Sequence, residues 1–491
     1  MKSYENYYLA KRNLLANANL RTRVCGELKP GSRIHVSAAC GKAMASITCM
    51  LKESGYQVTA SDVSFEPPMS DVLVSHRIAC LPPSEENLQN IDLLVPGNML
   101  PPSALEVVYA RAQGIPMLSG SEVLRDLLTQ NKRSLVVAGT HGKTTTSSLL
   151  AHVFMKSEKS PAYMIGGSFQ DTGESYSVGS ANATHAIFEG DEYDCAYFDK
   201  APKFLRYNTS SAIITSIEHD HVDLYPTFED YKQAFQFLVE DAPARGYLVV
   251  HESALEHIDI SSCLGQVFTY GKTAQNDFSY TIQSVSVSST IFSIHTKDRT
   301  YADIRIPLFG EYNVANATSV FALALLEGVE VTAIISALAT YPGVHERQEV
   351  LGISKNITVI RDFAHHPTAV RVTLDGLKSH YPNSRIVCVF EPRSITSRKK
   401  VFERVYPESL KSADVSILVS PPFKENDTKS DFMNVSVVAT ALEILGKRAF
   451  VADSPAIALQ TVSEHVTEGD VIIFMSNGDF GGIPEKFLNN L

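Results

Sequence analysis

VVAGTHGKTTTSSLL, residues 136–150, joins a β-branched run to a glycine turn and then opens a helix at Lys143-Thr144. That order builds a nucleotide phosphate cradle, in which backbone N–H groups of Gly139, Thr140, His141 and Gly142 face the phosphates at the positive end of a helix. Lys143 would reach the β and γ oxygens and the Thr144 hydroxyl would ligate magnesium, with Thr145 beside them among the ATP contacts. The loop is a short GxxGKTT form, because Val137 stands five residues before the Gly-Lys pair, where a Walker A loop carries glycine. An ordinary strand-turn-helix connection does not account for glycine, lysine and three threonines in this order.

The bulk numbers set the frame around that loop. A chain of 491 residues is too long for one core and predicts roughly two to four domains of about 100–200 residues each. A formal net charge of -11 argues against a nucleic-acid partner, since a polyanion needs a basic face. Seven cysteines, at 25, 40, 49, 80, 195, 263 and 388, contain no CxxC pair, and an odd count cannot pair fully within the chain. The amino terminus, MKSYENYYLAKRNLL, has no apolar core of signal-peptide length, its first 30 residues being polar and tyrosine-rich. No apolar run approaches the roughly 18 residues of a membrane span. These features predict a cytoplasmic, soluble protein and leave the oligomeric state open.

Outward from the loop, the fold class reads as α/β in three segments. Residues 33–130 alternate strand-like runs (RIHVS, QVTAS, DLLVPG) with helical patterns such as Met44, Ile47, Met50 and Leu51, a Rossmann-like arrangement. A polar stretch, Thr129 to Arg133, precedes the loop's strand, so residues 1–131 form the first predicted domain. The central segment, 132–344, carries candidate strands at 185–189, 211–217 and 246–250, then alternating β-rich runs between 278 and 306, which predict an antiparallel sheet beside the parallel one. Pro342-Gly343 is a reasonable hinge. From 345 to 491 the β/α alternation resumes with ITVIRDFA, a helix from Pro367, RIVCVFEPR, DVSILVS and DVIIFMS, giving a second Rossmann-like domain.

Two apolar runs stop abruptly at acidic residues, where a parallel sheet's carboxyl edge lines a ligand crevice. HAIFEGDEYD, 185–194, presents Glu189, Asp191 and Glu192; SAIITSIEHDHVD, 211–223, presents Glu218, Asp220, His221 and Asp223. Beside Thr144, a carboxylate from the first and an imidazole from the second would complete magnesium sites bridging ATP and a substrate oxygen. One acidic loop alone is usually just solvated.

These motifs, over most of the chain, resemble the Mur ligase family of peptidoglycan metabolism, whose members join a carboxylate to an amine through ATP. The resemblance implies three domains, Rossmann-like ones flanking a P-loop ATPase-like centre, with UDP-muramyl binding in the first and the amine substrate in the third. It implies that Glu189 and His221 are the magnesium ligands. GEYNVANA, 310–317, is similar to the family's ATP-contacting motif and points to Asn313; HERQEVLG, 345–352, places Arg347 at the phosphates; DFAHHP, 362–367, puts Asp362 at the ribose. Their bland readings are a helix cap, a surface charge and a strand end. Lys143, Glu189, His221 and Arg347 are thereby the catalytic candidates. Gly41, Lys42, Met44 and Asp62 are the candidates for the UDP substrate.

FEPRSITSRKK, 390–400, and FMSNGDFGGIPEK, 474–486, resemble the murein-peptide ligase branch, as do PPMSDVL, 67–73, and VPGNM, 95–99. This branch implies a ligase that attaches L-alanyl-γ-D-glutamyl-meso-diaminopimelate to UDP-N-acetylmuramate in cell-wall recycling, with ATP and Mg2+. Arg393 can fork onto a peptide carboxylate, with Ser394 next to it; a structural salt bridge is the alternative. The rivals are a UDP-N-acetylmuramate–L-alanine ligase and a non-catalytic sensor of UDP-muramyl ligands. The sensor is suggested by the first turn, HVSAACGKAM, 35–44, where Ser37, Ala38 and Ala39 replace expected glycines. Their side chains restrict positive φ and close approach to pyrophosphate, with Lys42 as a compensating charge. The sequence identifies no general base for the amine; His365 and His366 are near enough in the chain to be considered, and one of the two is expected to be structural.

Overall fold

The computed structural model describes residues 26–241, 245–394, 396–422 and 431–491; the tyrosine-rich amino-terminal stretch and Cys25 lie outside them. Among the described residues the strands form three principal sheets, each with helices against it. The β-branched runs read from the sequence are these strands, fully buried at positions such as Ile34, Val36, Leu135, Val137, Ile472 and Ile473, as expected where helices cover a parallel sheet.

The first sheet is parallel, in the order Ala79–Leu81, Gln57–Ser61, Arg33–Ser37, Leu93–Pro96. Strand Arg33–Ser37 has an earlier strand's place at neither side: Gln57–Ser61 flanks it on one side and Leu93–Pro96 on the other, so the turn after Ser37 opens at a switch point. The helix Lys42–Glu53 follows, and its inward side carries Met44, Ile47, Met50 and Leu51 into the core. Met44, expected at the UDP substrate, is therefore a core side chain, 8% exposed and packed beside Gly120. The glycine-poor turn also behaves differently from its sequence: Ala38 does take a positive φ of 55°. Gly97 supplies the room, since a Cβ there would come within 3.0 Å of the Ala38 Cβ. Below the turn, buried Glu106 accepts from Ser37 and Ser61 at 2.5 and 2.6 Å, and Ser61 also meets His35 at 3.0 Å.

Among the described residues the central sheet has ten strands. Its middle runs Tyr247–His251, Thr209–Ile214, Arg133–Ala138, His185–Gly190, Ala162–Met164, all parallel. The strands Phe278–Ser286, Ser289–His295 and Thr300–Ile306 pair antiparallel with one another. They do not form a sheet beside the parallel one: Phe278–Ser286 pairs parallel with Gln266–Gly271 and extends the same sheet. One buried face, carrying Phe292, Ile294, Ile304 and Ile306, continues the core that helix Glu311–Leu326 covers. That helix is buried from Asn313 to Ala324, as an apolar helix inside a domain must be.

The third sheet, in the order Glu349–Ser354, Ile357–Asp362, Val471–Met475, Ile386–Phe390, Val415–Val419, Arg448–Ala452, is parallel except for its first strand. The strands Glu349–Ser354 and Arg448–Ala452 had no clear apolar run, and both sit at the sheet's edges, where Val350, Ile353 and Val451 stay exposed. No described helix is long and apolar enough to cross a membrane.

Candidate active site

Strand Arg133–Ala138 lies between His185–Gly190 and Thr209–Ile214, with Ala138 in register with Gly190 on one side and Ile214 on the other. All three chains leave the sheet at one edge, which is why the loop after Ala138 meets both acidic segments. Gly139 has φ 134°, and a Cβ there would sit 2.1 Å from Thr215 Oγ1 and 2.9 Å from the Ser216 N. Gly142 has φ 81° and lies against Asn316, whose Oδ1 would be 2.8 Å from an added Cβ. Both are places only glycine fills. The loop is stitched to the neighbouring strand end by the Thr140 N–H donating to the Ser216 carbonyl at 2.8 Å and the Thr215 hydroxyl donating to the His141 carbonyl at 2.6 Å.

Helix Lys143–Lys156 begins at Lys143, as the sequence predicts. The Lys143 ammonium donates to the Gly139 carbonyl at 2.6 Å, the Thr140 carbonyl at 3.1 Å and Glu192 Oε1 at 2.9 Å. Burial alone would lower its pKa, but the carboxylates of Glu192, Asp191 and Glu189 raise it, so the lysine stays charged. The Thr144 hydroxyl donates to Glu189 Oε1 at 2.9 Å, and Glu189 Oε2 accepts the Gly166 N–H at 2.7 Å. Lys203 holds Asp191 at 2.7 Å, which leaves that carboxylate as a counter-ion and not a free ligand.

His221 reaches a carboxylate of the first acidic segment, but its neighbour is Glu192, with 3.9 Å between Nε2 and Oε2. It is held at φ 51°, a conformation costly for a residue with a Cβ and typical of a functional turn. Glu192 Oε2 is fully buried and makes no hydrogen bond, while Oε1 takes both Lys143 and the Tyr231 hydroxyl. A buried carboxylate oxygen without a partner, beside a hydroxyl–carboxylate pair at the helix start, fits a hard divalent cation. Glu192 is the ligand candidate that sequence reasoning passed over in favour of Glu189; its signal was the second glutamate of EGDEYD.

The third domain closes the other wall. Arg347 donates to the Thr144 hydroxyl at 3.3 Å, and its guanidinium lies 4.1 Å over the Phe363 ring. Asp362 is 4% exposed and accepts the Gln348 and Ala364 N–H groups, both at 2.8 Å. Burial raises its pKa, with those N–H groups and Arg347 opposing. Glu218 joins the domains: His141 lies 3.4 Å from Oε2, His366 3.9 Å, and the Thr368 hydroxyl donates at 2.7 Å. Burial would raise the Glu218 pKa, but His141 and Thr368 hold it down to about 2. Asn313 donates to the Phe309 carbonyl at 2.9 Å and accepts from Asn316 at 3.2 Å. Asn316, one turn along the same helix, is the residue that touches the phosphate loop, a contact legible only from i, i+3 spacing.

One cavity of about 770 Å³ gathers Thr140, His141, Gly142, Lys143, Thr144, Thr145, Glu189, His221, Asn313, Arg347 and Asp362. Arg393, Ser394, Gly41, Lys42 and Asp62 lie outside it. Arg393 is half-exposed, 3.3 Å from Asp479 and 4.0 Å from buried Glu391, and Ser394 closes a turn onto Ser397. Asp62 accepts the Cys40 N–H at 2.8 Å, bracing the first turn, and Lys42 pairs with Glu346 at 3.2 Å. The candidates for the UDP substrate thus converge on one turn whose lysine touches the segment carrying Arg347.

Three family models match the chain: "Mur ligase family, catalytic domain" over residues 33–132, "Mur ligase middle domain" over 137–324 and "Mur ligase, glutamate ligase domain" over 346–478. Among curated proteins, the UDP-N-acetylmuramate–L-alanyl-γ-D-glutamyl-meso-2,6-diaminoheptandioate ligase of Haemophilus influenzae is 30% identical over 464 residues, covering 93% of this chain and 99% of that protein. The UDP-N-acetylmuramate–L-alanine ligase of Chlorobium phaeovibrioides is also 30% identical, covering 92% and 96%. A crystal structure of a murein peptide ligase from Psychrobacter arcticus superposes with a TM-score of 0.67 at 28% identity, covering 94% of this chain and 98% of the other.

Proposed function

The chain belongs to the Mur ligase family, and from that premise we propose that it uses ATP to join UDP-N-acetylmuramate to the tripeptide L-alanyl-γ-D-glutamyl-meso-diaminopimelate through an acyl phosphate. The observation that carries the reading is the convergence on Thr144 of Glu189 from the central sheet and Arg347 from the third domain. Residues 1–131 hold the UDP substrate through Gly41, Lys42 and Asp62, residues 132–344 hold ATP, and residues 345–491 bring the peptide.

In the first step the substrate carboxylate attacks the γ-phosphorus, and ADP leaves. Lys143 and Arg347 lie on either side of Thr144's loop and neutralise charge spreading over the transferred group. Thr144, Glu189, Glu192 and His221 would hold magnesium, which would supply Lewis-acid charge neutralisation. Asn313 and Asp362 orient the nucleoside from the central and third domains. In the second step the peptide amine attacks the acyl carbon, the C–N bond forms, and phosphate leaves. Contacts across Glu218 keep the domains together and water out, protecting the acyl phosphate from hydrolysis.

The Arg393, Glu391 and Asp479 cluster favours a peptide over free alanine, because it lies outside the cavity around Thr144 and offers both signs of charge to a terminal diamino acid that free alanine lacks. Phosphate release with ATP, magnesium and UDP-N-acetylmuramate tests this, comparing the tripeptide with L-alanine. Turnover with the tripeptide alone is expected, and a fall in that turnover on Arg393→Lys. Turnover with alanine instead would assign the chain to the alanine-adding reaction.

A further inference from the structure

We propose that His365, and not its neighbour His366, is the general base that takes the proton from the attacking amine in the second step. This rests on the ligase reading above. The two adjacent histidines of DFAHHP have different surroundings. The His366 ring nitrogen Nδ1 accepts the Thr368 N–H at 3.3 Å, capping helix Pro367–His380. Its ring packs 4.8 Å from that of His141 and 5.4 Å from that of Phe402. It is a structural histidine at the domain seam.

His365 is built differently. Its Nδ1 lies 3.0 Å from the Phe363 carbonyl, an acceptor only, so this nitrogen carries the proton. Nε2 is then the lone-pair nitrogen, and it has no hydrogen-bond partner among the described residues. The ring lies edge-on to Phe363, 5.4 Å between centroids at 85°, and Phe363 carries Arg347 on its face. The Tyr406 hydroxyl donates to the His365 carbonyl at 2.6 Å and fixes the backbone. His365 lines the same cavity as Lys143, Glu189 and Arg347. The basic nitrogen is therefore oriented, unpartnered and carried by the domain that brings the amine.

Burial keeps it in the basic form. Burial lowers its pKa; the Phe363 carbonyl and Asp220 act against this, while His141 and Arg347 act with it. Other cavity groups are poorer bases. Glu218 is held down to about 2, and Asp220 lies below the usual carboxylate range despite its burial because His221, His365 and His366 surround it. In the proposed step His365 Nε2 takes one proton from the peptide's ammonium, the freed amine bonds to the acyl carbon, and its second proton passes to the departing phosphate. The tetrahedral intermediate then expels phosphate with the acyl C–O electron pair, and the imidazolium later releases its proton to solvent.

The test uses the full-length protein and His365→Gln, with two nucleophiles offered to the acyl phosphate formed from ATP and UDP-N-acetylmuramate. Hydroxylamine is unprotonated near neutrality and needs no base, so the variant should form hydroxamate at the parent rate, which also shows that it is folded. Amide formation with the tripeptide should fall by about 10²–10⁴-fold. The parent's amide rate should be level across neutral pH, whereas the variant's should keep rising as the α-amine, pKa about 8, loses its own proton. Equal losses with both nucleophiles, an undiminished amide rate, or parallel pH profiles would overturn the assignment. A parent protein that forms no hydroxamate would instead overturn the ligase reading itself.

Discussion

Lys143 shows how one side chain's meaning changes with its surroundings. In sequence it is the lysine of a phosphate loop; in the fold its ammonium lies over the loop's own carbonyls and against buried Glu192. Phosphates must take that ammonium from the carbonyls, so Lys143→Ala is expected to cut ATP-dependent phosphate release by about 10³-fold or more, read alongside a thermal melt. The glycines separate by the same logic. Gly139→Ala would drive a Cβ into Thr215 Oγ1 and the Ser216 backbone at a positive φ, and should lower stability by about 2–4 kcal/mol in a denaturant melt. Gly41→Ala, at φ -70° with nothing within 4 Å of the new methyl, should change stability by no more than about 0.5 kcal/mol. Equal losses for the two would contradict this account of the loop. All three positions were legible as residues, and so was a carboxylate of the 185–194 segment beside Thr144; that Lys143 leans on Glu192 was not, because that carboxylate lies 49 residues away.

Strand ends and helix starts make the next layer. Glu106, near the start of helix Leu105–Gln113, ties strands Arg33–Ser37 and Gln57–Ser61 together through the Ser37 and Ser61 hydroxyls. Burial would raise its pKa, but hydrogen bonds from His35, Ser37, Ser61 and Asn87 hold it down to about 2. A carboxylate lowered on folding contributes stability above its unfolded value, near 4.5, and loses it as pH falls towards 2. Glu106→Gln should therefore be less stable than the parent at pH 7, with the gap closing between about pH 4.5 and 2 in melts by circular dichroism. A gap unchanged over that range would show that the hydrogen bonds, and not the charge, matter. Sequence periodicity found the strands here but not this network, since a glutamate at a helix start reads as a solvated first-turn charge. The same limit applied to Met44, whose place after the turn suggested a ligand contact until the helix phase turned it into the core.

At the scale of the whole molecule, charged side chains help to join the domains around the cavity. Glu218 binds His141 in its own domain and Thr368 and His366 in the third, and Lys42 of the first domain pairs with Glu346 beside Arg347. The exposed Lys42 pair contributes little by itself; the half-buried Glu218 group carries the seam. Glu218→Gln should weaken closure by about 1–3 kcal/mol, seen as a larger radius of gyration in solution scattering without nucleotide and a higher KM for ATP. An unchanged radius with an unchanged KM would remove Glu218 from the closure mechanism. The sequence by itself determined the α/β class, the phosphate loop with its helix start and the acidic strand ends, because these depend on local periodicity and on residue types that few conformations tolerate. Only the tertiary structure decided that Glu192 faces His221, that the 278–306 strands extend the central sheet, and which of His365 and His366 keeps an unengaged ring lone pair. Those depend on which distant segments meet and on which polar atoms are already satisfied, and neither is encoded within the reach of a local pattern.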